Sequence, residues 1–586
     1  MTYRPPVEEM AFLLTQVAGL DQLRADGLAP EIDDDLIASL FDQAGRFAAE
    51  AVAPLNRPGD IQGVTLAGGE VTTPDGYRDT YRQWREAGWN AVDAPVEWGG
   101  MGLPVCVGAP ILEMWTAACM AFTMSPVLTQ GAVEVLEDQA DETLRELYLA
   151  KLVSGEWSAT MSLTEPQAGS DLAGTQCRAE PAGDGTYRLF GQKIFISYGE
   201  HDLTDNIIHL VLARLPGAPG GTRGLSLFLA PKWLPGPGEA VRNDLQCIGV
   251  EHKLGIHGSP TCTIAYGDGG QGATAWLLGE PHKGLAGMFI MMNRARLCTG
   301  LQGVGIAERA TQKAFAFARE RRQGRAPGVE GPAPIIAHPD VRRMLLDMRA
   351  CVLAARSIAY SAAVAIDRAR LEPDPDRRAA AAGRAALLTP IVKAWCTQVG
   401  FDVASTGVQV HGGMGFIEET GAAQHMRDGR IALIYEGTNG IQAVDLVMRK
   451  LMRDGGEAAL ALIEELKSAA GQAALDGALG PDAKRLAPAV EHLAAATAWL
   501  LAAERSEAER LASAAPFLRL FALTLGTILL ARAAGSPPGR FAKPADMVLV
   551  ARHAVGAWSG EIAGLADLVQ QGGWAVAQPE ALSAYE

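Results

Sequence analysis

The apolar positions along the chain change rhythm three times. From Asp33 to about Leu152 they recur at threes and fours, in segments such as 34–52 and 132–152 separated by Pro and Gly, and that spacing predicts helices. The stretch from Pro95 to Pro104 reads as a turn-rich loop between two of them. After Trp157 the chain breaks into strand-length runs rich in β-branched and aromatic residues, at 186–197, 206–215 and 224–231, with turn dipeptides such as Asp184-Gly185 between them. Helical spacing returns at Gly284 and persists through 296–322, 339–370 and 379–406, each long enough to pack as part of a bundle. A last region, rich in Ala and Leu, carries apolar faces over 488–511 and 517–534. At 586 residues the chain exceeds what one hydrophobic core can serve. The expected fold is α+β in four domains: helical 1–155, antiparallel β 156–283, a helical bundle 284–454, and an additional helical domain 455–586.

Composition and charge narrow the function. With 48% hydrophobic and 20% charged residues this is the profile of a globular enzyme. A formal charge of −16 argues against a surface that neutralises a phosphate backbone, so no nucleic-acid partner is expected. No uninterrupted apolar stretch reaches the roughly 18–20 residues of a bilayer span, and the first nine residues lack the features of a secretory signal. The expected compartment is cytoplasmic, with no membrane partner. Eight scattered cysteines, without a CxxC pair or a Cys/His group at ligand spacing, point to reduced core thiols and no metal.

Four segments could carry chemistry. In Ile434-Tyr435-Glu436-Gly437-Thr438-Asn439, a glycine beside a carboxylate permits close backbone approach, and apolar neighbours could keep the acid out of water, as a general base requires. The same Glu could simply serve a helix N-terminus. Leu163 to Asp171 (LTEPQAGSD) is a loop whose amides could bind a flat polar ring or a phosphate, or merely a connection capped by hydroxyls. Gln409 to Phe416 (QVHGGMGF) is a glycine cluster between helices without the Rossmann spacing, open to reading as a helix-breaking turn or a pyrophosphate cradle. The cations in Ala318 to Arg325 either complement a helix C-terminus or contact a phosphate.

In this order, over about residues 35–452, the segments resemble the acyl-CoA dehydrogenase family, whose fold is a helical domain, a β domain and a four-helix bundle. The resemblance implies FAD as cofactor. It places Met161, Leu163 and Thr164 by the isoalloxazine ring, and Gly169 and Ser170 near the flavin or the substrate's pantetheine. Phe195 would stack on the flavin and Ser197 hydrogen-bond near its N5, where the family usually has Trp and Thr. Arg321 would reach the FAD pyrophosphate of a neighbouring subunit, with Gln409 and Gly413 on the same moiety, which implies a homodimer. The pattern departs at Gly324, where Phe is common, and at Pro339, where Gln is common. Asn293 and Arg296 align with a segment that contacts the CoA ester. Tyr435 and Gly437 fall beside the substrate, Thr438 toward the flavin nucleotide, and Glu436 on the catalytic base.

A carboxylate with an ordinary pKa of about 4.3 cannot remove an α-proton unaided, so the site must raise the base and stabilise the enolate. The implied reaction converts an acyl-CoA to trans-2-enoyl-CoA, with electrons passing from FAD to electron-transfer flavoprotein. The added C-terminal region and the segments 196–216 and 251–262 resemble a larger bacterial branch that acts on 3-methylmercaptopropionyl-CoA or on straight-chain acyl-CoAs. An acyl-CoA oxidase is an alternative. A DNA-associated flavoprotein of the alkylation-response type would need a basic C-terminal surface, yet 455–586 holds ten Lys/Arg against fourteen Asp/Glu.

Overall fold

The computed structural model describes residues 3–236 and 240–572; the outermost ends of the expected first and last domains lie outside these residues. The chain forms two compact units: one from 50–103 and 118–298, the other from 1–49, 104–117 and 299–586.

The first of these units holds twelve described strands: β1 (Thr65–Ala67), β2 (Glu70–Thr72), β3 (Trp157–Ser162), β4 (Arg178–Pro181), β5 (Tyr187–Ser197), β6 (Asn206–Arg214), β7 (Leu225–Pro231), β8 (Trp233–Leu234), β9 (Val241–Arg242), β10 (Leu245–Val250), β11 (Thr261–Tyr266) and β12 (Ala273–Leu278). Eight make one sheet in the order β10-β11-β5-β12-β7-β6-β3, and β4 bridges β5 and β6 so that the sheet curls back on itself. Most pairings in this sheet are antiparallel, as expected; two, β3 with β6 and β4 with β6, are parallel. The physical reason is connectivity: β4 and β5 separate β3 from β6 along the chain, giving the crossover length that parallel strands need. One face of the sheet packs Leu210, Leu212, Leu227 and Leu229 against the helix Glu142–Val153, through Tyr148, Leu149 and Leu152. Val211, Phe228 and Ile264, on the other face, form a second core with Cys177 and Tyr266.

The second unit is helical. The helix expected from residue 34 starts there because Asp33 Oδ1 accepts the Leu36 N–H at 2.7 Å, and it closes in a π-helical turn, Ala48–Val52. The run expected over 379–406 is in fact Pro375–Ile391, a π-helical turn Val392–Cys396, then Thr397–His411. The apolar face over 488–511 is likewise split: one helix ends at Leu501 and a capping box between Ser506 and Glu509 starts the next. The C-terminal helices pack on the bundle within this unit. A Cβ added to Gly526 would sit 3.0 Å from the Ala354 Cβ, and Trp395 meets Trp558 edge-on at 6.5 Å.

Among the described residues three helices, Val105–Gln139, Pro339–Leu371 and Glu507–Gly535, are long and apolar enough to cross a membrane by length and composition, contrary to the reading of the sequence. Their most apolar windows are 94%, 83% and 83% buried inside the protein, as expected of helices that are apolar all round in a large core.

Arg356 is wholly buried in the helical unit. Its guanidinium donates to Glu113 at 2.8 and 2.5 Å, to Glu308 at 2.8 Å and to Glu9, and the Tyr360 hydroxyl donates to Glu113 at 2.7 Å. Four helices far apart in sequence are thereby tied through one cation whose burial would be prohibitive unpaired.

Candidate active site

In the β-containing unit, the loop that begins at Leu163 is stitched to β5 by three bonds. Lys193 Nζ donates to the Leu163 carbonyl at 2.9 Å and to Glu165 Oε1 at 2.8 Å, and the Ile194 N–H donates to the Thr164 carbonyl at 2.9 Å. Lys193 is 0% exposed and Glu165 3%. The carboxylate also accepts the Gln176 and Cys177 amides at 2.7 and 3.0 Å and Gln167 Nε2 at 2.6 Å. Burial by itself raises the Glu165 carboxyl, but the Lys193 ammonium and these donors outweigh it and hold the group below its usual value.

Two residues beyond Lys193, the register of β5 on β11 slips between Cys262 and Ile264. Phe195 lies in that bulge with φ +60°, a left-handed conformation that costs a non-glycine residue about 1–3 kcal/mol. The consequence is that its ring turns outward and is 58% exposed. Ser197 is half-buried, with its carbonyl accepting the Thr160 hydroxyl at 2.7 Å. Half-buried Met161 and buried Leu163 lead into the loop, and Gly169 and Ser170 are exposed, with open space where a Gly169 Cβ would stand. The structure therefore brings Met161, Leu163, Thr164, Phe195 and Ser197 together around one strand end. An exposed aromatic face beside a rigid loop suits a flat heterocycle. Asn293 is exposed and Arg296 buried one turn later on the helix Gly284–Glu320, with Arg296 Nη1 3.4 Å from Asn293 Oδ1 and the guanidinium 5.9 Å from the Phe289 ring centroid.

In the helical unit, Arg321 follows the last turn of that same helix and is exposed. One turn back, Phe317 stacks on His411 with ring centroids 4.4 Å apart, which places the glycine turn beside the arginine's helix end. Gln409, Gly412 and Gly413 are exposed, and a Cβ on either glycine would meet nothing within 4 Å. Gly412 has φ +60°, and a Cβ on Gly415 would fall 2.2 Å from the Val408 carbonyl oxygen, so this turn is accessible only to glycine there. An open glycine turn near an exposed guanidinium suits an anionic diphosphate.

Glu436 lies between a 3-10 turn (Arg430–Leu433) and the helix Asn439–Val444, half-buried, with φ +57°. Like Phe195, it is one of five described non-glycine residues in the left-handed region, and it is followed by Gly437 at φ +85°. Thr438 caps the next helix by accepting the Ile441 N–H at 3.2 Å. Tyr435 donates its hydroxyl to buried Gln302 at 2.5 Å, and Gln442 Nε2 donates to the Glu436 carbonyl at 3.1 Å. Lys393, 0% exposed, donates to the Gly437 carbonyl at 2.6 Å. The capping role that the sequence alone left open for Glu436 is thus filled by Thr438. Sequence reasoning missed Glu165, Lys193, Lys393, Gln302 and Gln442. The one signal available for the lysines was a cation set among apolar residues in an otherwise core-like run. Among the described residues no group of three His, Cys, Asp or Glu is placed to hold a metal ion.

Family profiles described as acyl-CoA dehydrogenase N-terminal, middle and C-terminal domains match residues 38–156, 160–268 and 282–452, and one described as acetyl-CoA dehydrogenase C-terminal like matches 460–546. The 3-methylmercaptopropionyl-CoA dehydrogenase of Ruegeria pomeroyi is 47% identical over 528 residues, covering 89% of each chain. A butyryl-CoA dehydrogenase of Syntrophomonas wolfei is 38% identical over 427 residues, 70% of this chain and 69% of its own. Among solved structures, an acyl-CoA dehydrogenase complexed with FAD from Bacillus anthracis superposes with a TM-score of 0.71 at 22% identity, covering 94% of this chain and 90% of that one, a likeness of fold.

Proposed function

The chain belongs to the acyl-CoA dehydrogenase family, and from that premise we propose that Glu436 is the base that takes the α-proton of its acyl-CoA substrate. The activity is FAD-dependent acyl-CoA dehydrogenation. The observation that carries the assignment of the base is the left-handed backbone at Glu436, held from below by Lys393 and Gln442. Strain retained at a carboxylate by surrounding bonds is characteristic of functional positions.

When bound, FAD supplies the acceptor for the hydride that leaves the β-carbon. The residues present fit it. The exposed Phe195 ring and the loop through Met161, Leu163, Thr164, Gly169 and Ser170, with Ser197, suit the flavin end; Arg321, Gln409 and Gly413 suit the pyrophosphate of a neighbouring subunit's FAD, and Thr438 is assigned to the flavin nucleotide. Glu436 Oε receives the α-proton, and the Glu436 backbone N–H is assigned to donate to the thioester oxygen as negative charge develops there. Tyr435, with its hydroxyl fixed on Gln302, and Gly437 shape the approach of the acyl chain, while Ser170, Asn293 and Arg296 are assigned to the CoA moiety.

The substrate is 3-methylmercaptopropionyl-CoA or another short- or medium-chain acyl-CoA, a reading supported by the names of the Ruegeria and Syntrophomonas relatives. Electron-transfer flavoprotein receives the electrons, the protein works as a cytoplasmic homodimer without nucleic-acid or membrane partners, and four domains are assigned at 1–155, 156–283, 284–454 and 455–586. The decisive experiment is anaerobic titration with 3-methylmercaptopropionyl-CoA, propionyl-CoA, butyryl-CoA and octanoyl-CoA, following flavin bleaching in wild type and Glu436→Gln. Bleaching in wild type and its near-loss in the variant are expected; bleaching indifferent to Glu436 would refute the base.

A further inference from the structure

A lysine whose side chain is entirely buried is rare unless it is tied to specific partners, and Lys393 is 0% exposed. Its partners are on the loop that carries Glu436. Nζ donates to the Gly437 carbonyl at 2.6 Å and to Asn439 Oδ1 at 3.1 Å, one and three residues beyond the carboxylate. Asn439 is itself fixed from the lysine's own segment, donating to the Ala394 carbonyl at 3.0 Å and lying 3.2 Å from the Thr397 hydroxyl. Thr397 in turn donates to the Lys393 carbonyl at 2.7 Å.

The platform beneath this cluster is unusual. Lys393 belongs to the π-helical turn Val392–Cys396, the kind of local irregularity that recurs at functional sites because it redirects one side chain out of the helical register. That turn is pressed against the helix Gly284–Glu320 at two glycines. A Cβ on Gly300 would fall 2.4 Å from Val392 Cγ1, and one on Gly303 would fall 2.2 Å from the Cys396 carbonyl oxygen. Backbone against backbone leaves the turn little freedom to shift. The result is a rigid base from which one ammonium reaches the peptide next to a strained glutamate.

We propose that Lys393 is a positioning residue for catalysis: its ammonium anchors the Gly437 carbonyl and Asn439, and so holds the Glu436 carboxylate in the left-handed geometry from which it takes the α-proton. This inference rests on Glu436 being the base. Lys393 touches neither substrate nor reacting atoms; it acts through the loop. Without the anchor, the Glu436–Gly437 backbone relaxes toward ordinary φ values and the carboxylate swings away from the α-carbon. Binding of the CoA portion is left unaltered, so the loss falls on the proton-transfer step.

The test is rapid-reaction measurement of flavin reduction by butyryl-CoA and by α-dideuterated butyryl-CoA in the holoenzyme and in Lys393→Met, Asn439→Ala and Glu436→Gln. In Lys393→Met we expect reduction roughly ten- to a hundredfold slower, the range that a misplacement of about 1 Å produces, with a larger isotope effect and little change in the apparent dissociation constant of butyryl-CoA. A merely structural lysine would lower FAD content or the unfolding midpoint and leave the isotope effect where it was. Should Lys393→Met not fold, Asn439→Ala, which removes one acceptor from the ammonium, is held to the same criterion. Flavin reduction at the wild-type rate and isotope effect in the folded, FAD-loaded variant, while Glu436→Gln is inactive, overturns the inference and leaves the base standing. Retention of the rate in Glu436→Gln overturns both.

Discussion

Replacing Lys193 with methionine removes the ammonium that joins the loop at Leu163–Ser170 to β5 and keeps the volume nearly constant. Two bonds are lost, to the Leu163 carbonyl and to Glu165, and a carboxylate that is 3% exposed stays behind. Removing one partner of a buried pair costs about 3–5 kcal/mol because the other charge is left uncompensated. Glu165 keeps the Gln176 and Cys177 amides and Gln167 Nε2, so the lower end, about 3 kcal/mol, is the better figure. If that energy is spent in loosening the loop, FAD affinity falls on the order of a hundredfold, since each tenfold is about 1.4 kcal/mol. The pH dependence has a definite sign. In the wild type the Glu165 carboxyl is held below its usual value, so its contribution is present above the ordinary carboxylate range and is lost as pH falls through the folded value. In Lys193→Met burial is opposed only by the remaining donors, so the carboxyl moves up from its wild-type value, and the defect is largest at neutral pH and shrinks as acid protonates it. Equilibrium dialysis of FAD at about pH 8 and about pH 5.5 measures this directly. An affinity within about twofold of wild type at both pH values would refute the idea that this pair orders the loop.

Two further expectations rest on other parts of the molecule. Gly303→Ala drives a methyl group to 2.2 Å from the Cys396 carbonyl oxygen, so the unfolding midpoint should drop with a cost of about 1–3 kcal/mol or more, whereas Gly471→Ala, where a Cβ meets open space in a helix, should be neutral or stabilising by up to about 1 kcal/mol; equal midpoints for the two variants in differential scanning calorimetry would contradict the close approach. His201 and His209 are buried with their pKa values pushed down to about 3, by burial first and the Lys232 charge second, so the native state binds fewer protons than the unfolded chain below about pH 6.5. Stability in urea should therefore be complete above that pH and erode below it, and an NMR titration showing either imidazole charging near its ordinary pKa would count against the assignment.

Local chemistry carried most of the architecture. Apolar spacing located the strands Tyr187–Ser197, Asn206–Arg214 and Leu225–Pro231 and the long helices of the bundle because a period of two or of 3.6 is a property of neighbouring residues. The resemblance singled out Glu436, Phe195 and Arg321 because a motif keeps its residue types together in the chain. What periodicity could not supply was the break in the long helical run at the π-helical turn Val392–Cys396, since apolar spacing continues straight through it. Nor could it foresee the left-handed backbone of Glu436 and Phe195, which no residue of their type adopts by preference. That conformation is imposed from outside: by the strand slip opposite Phe195, and by Lys393 and Gln442 at Glu436. Lys193 stands 28 residues beyond Glu165 in sequence, Lys393 44 residues before Gly437, and Arg356 243 residues beyond Glu113. Pairings over such separations have no local signature, because burial makes them strong only after the fold has brought them out of water.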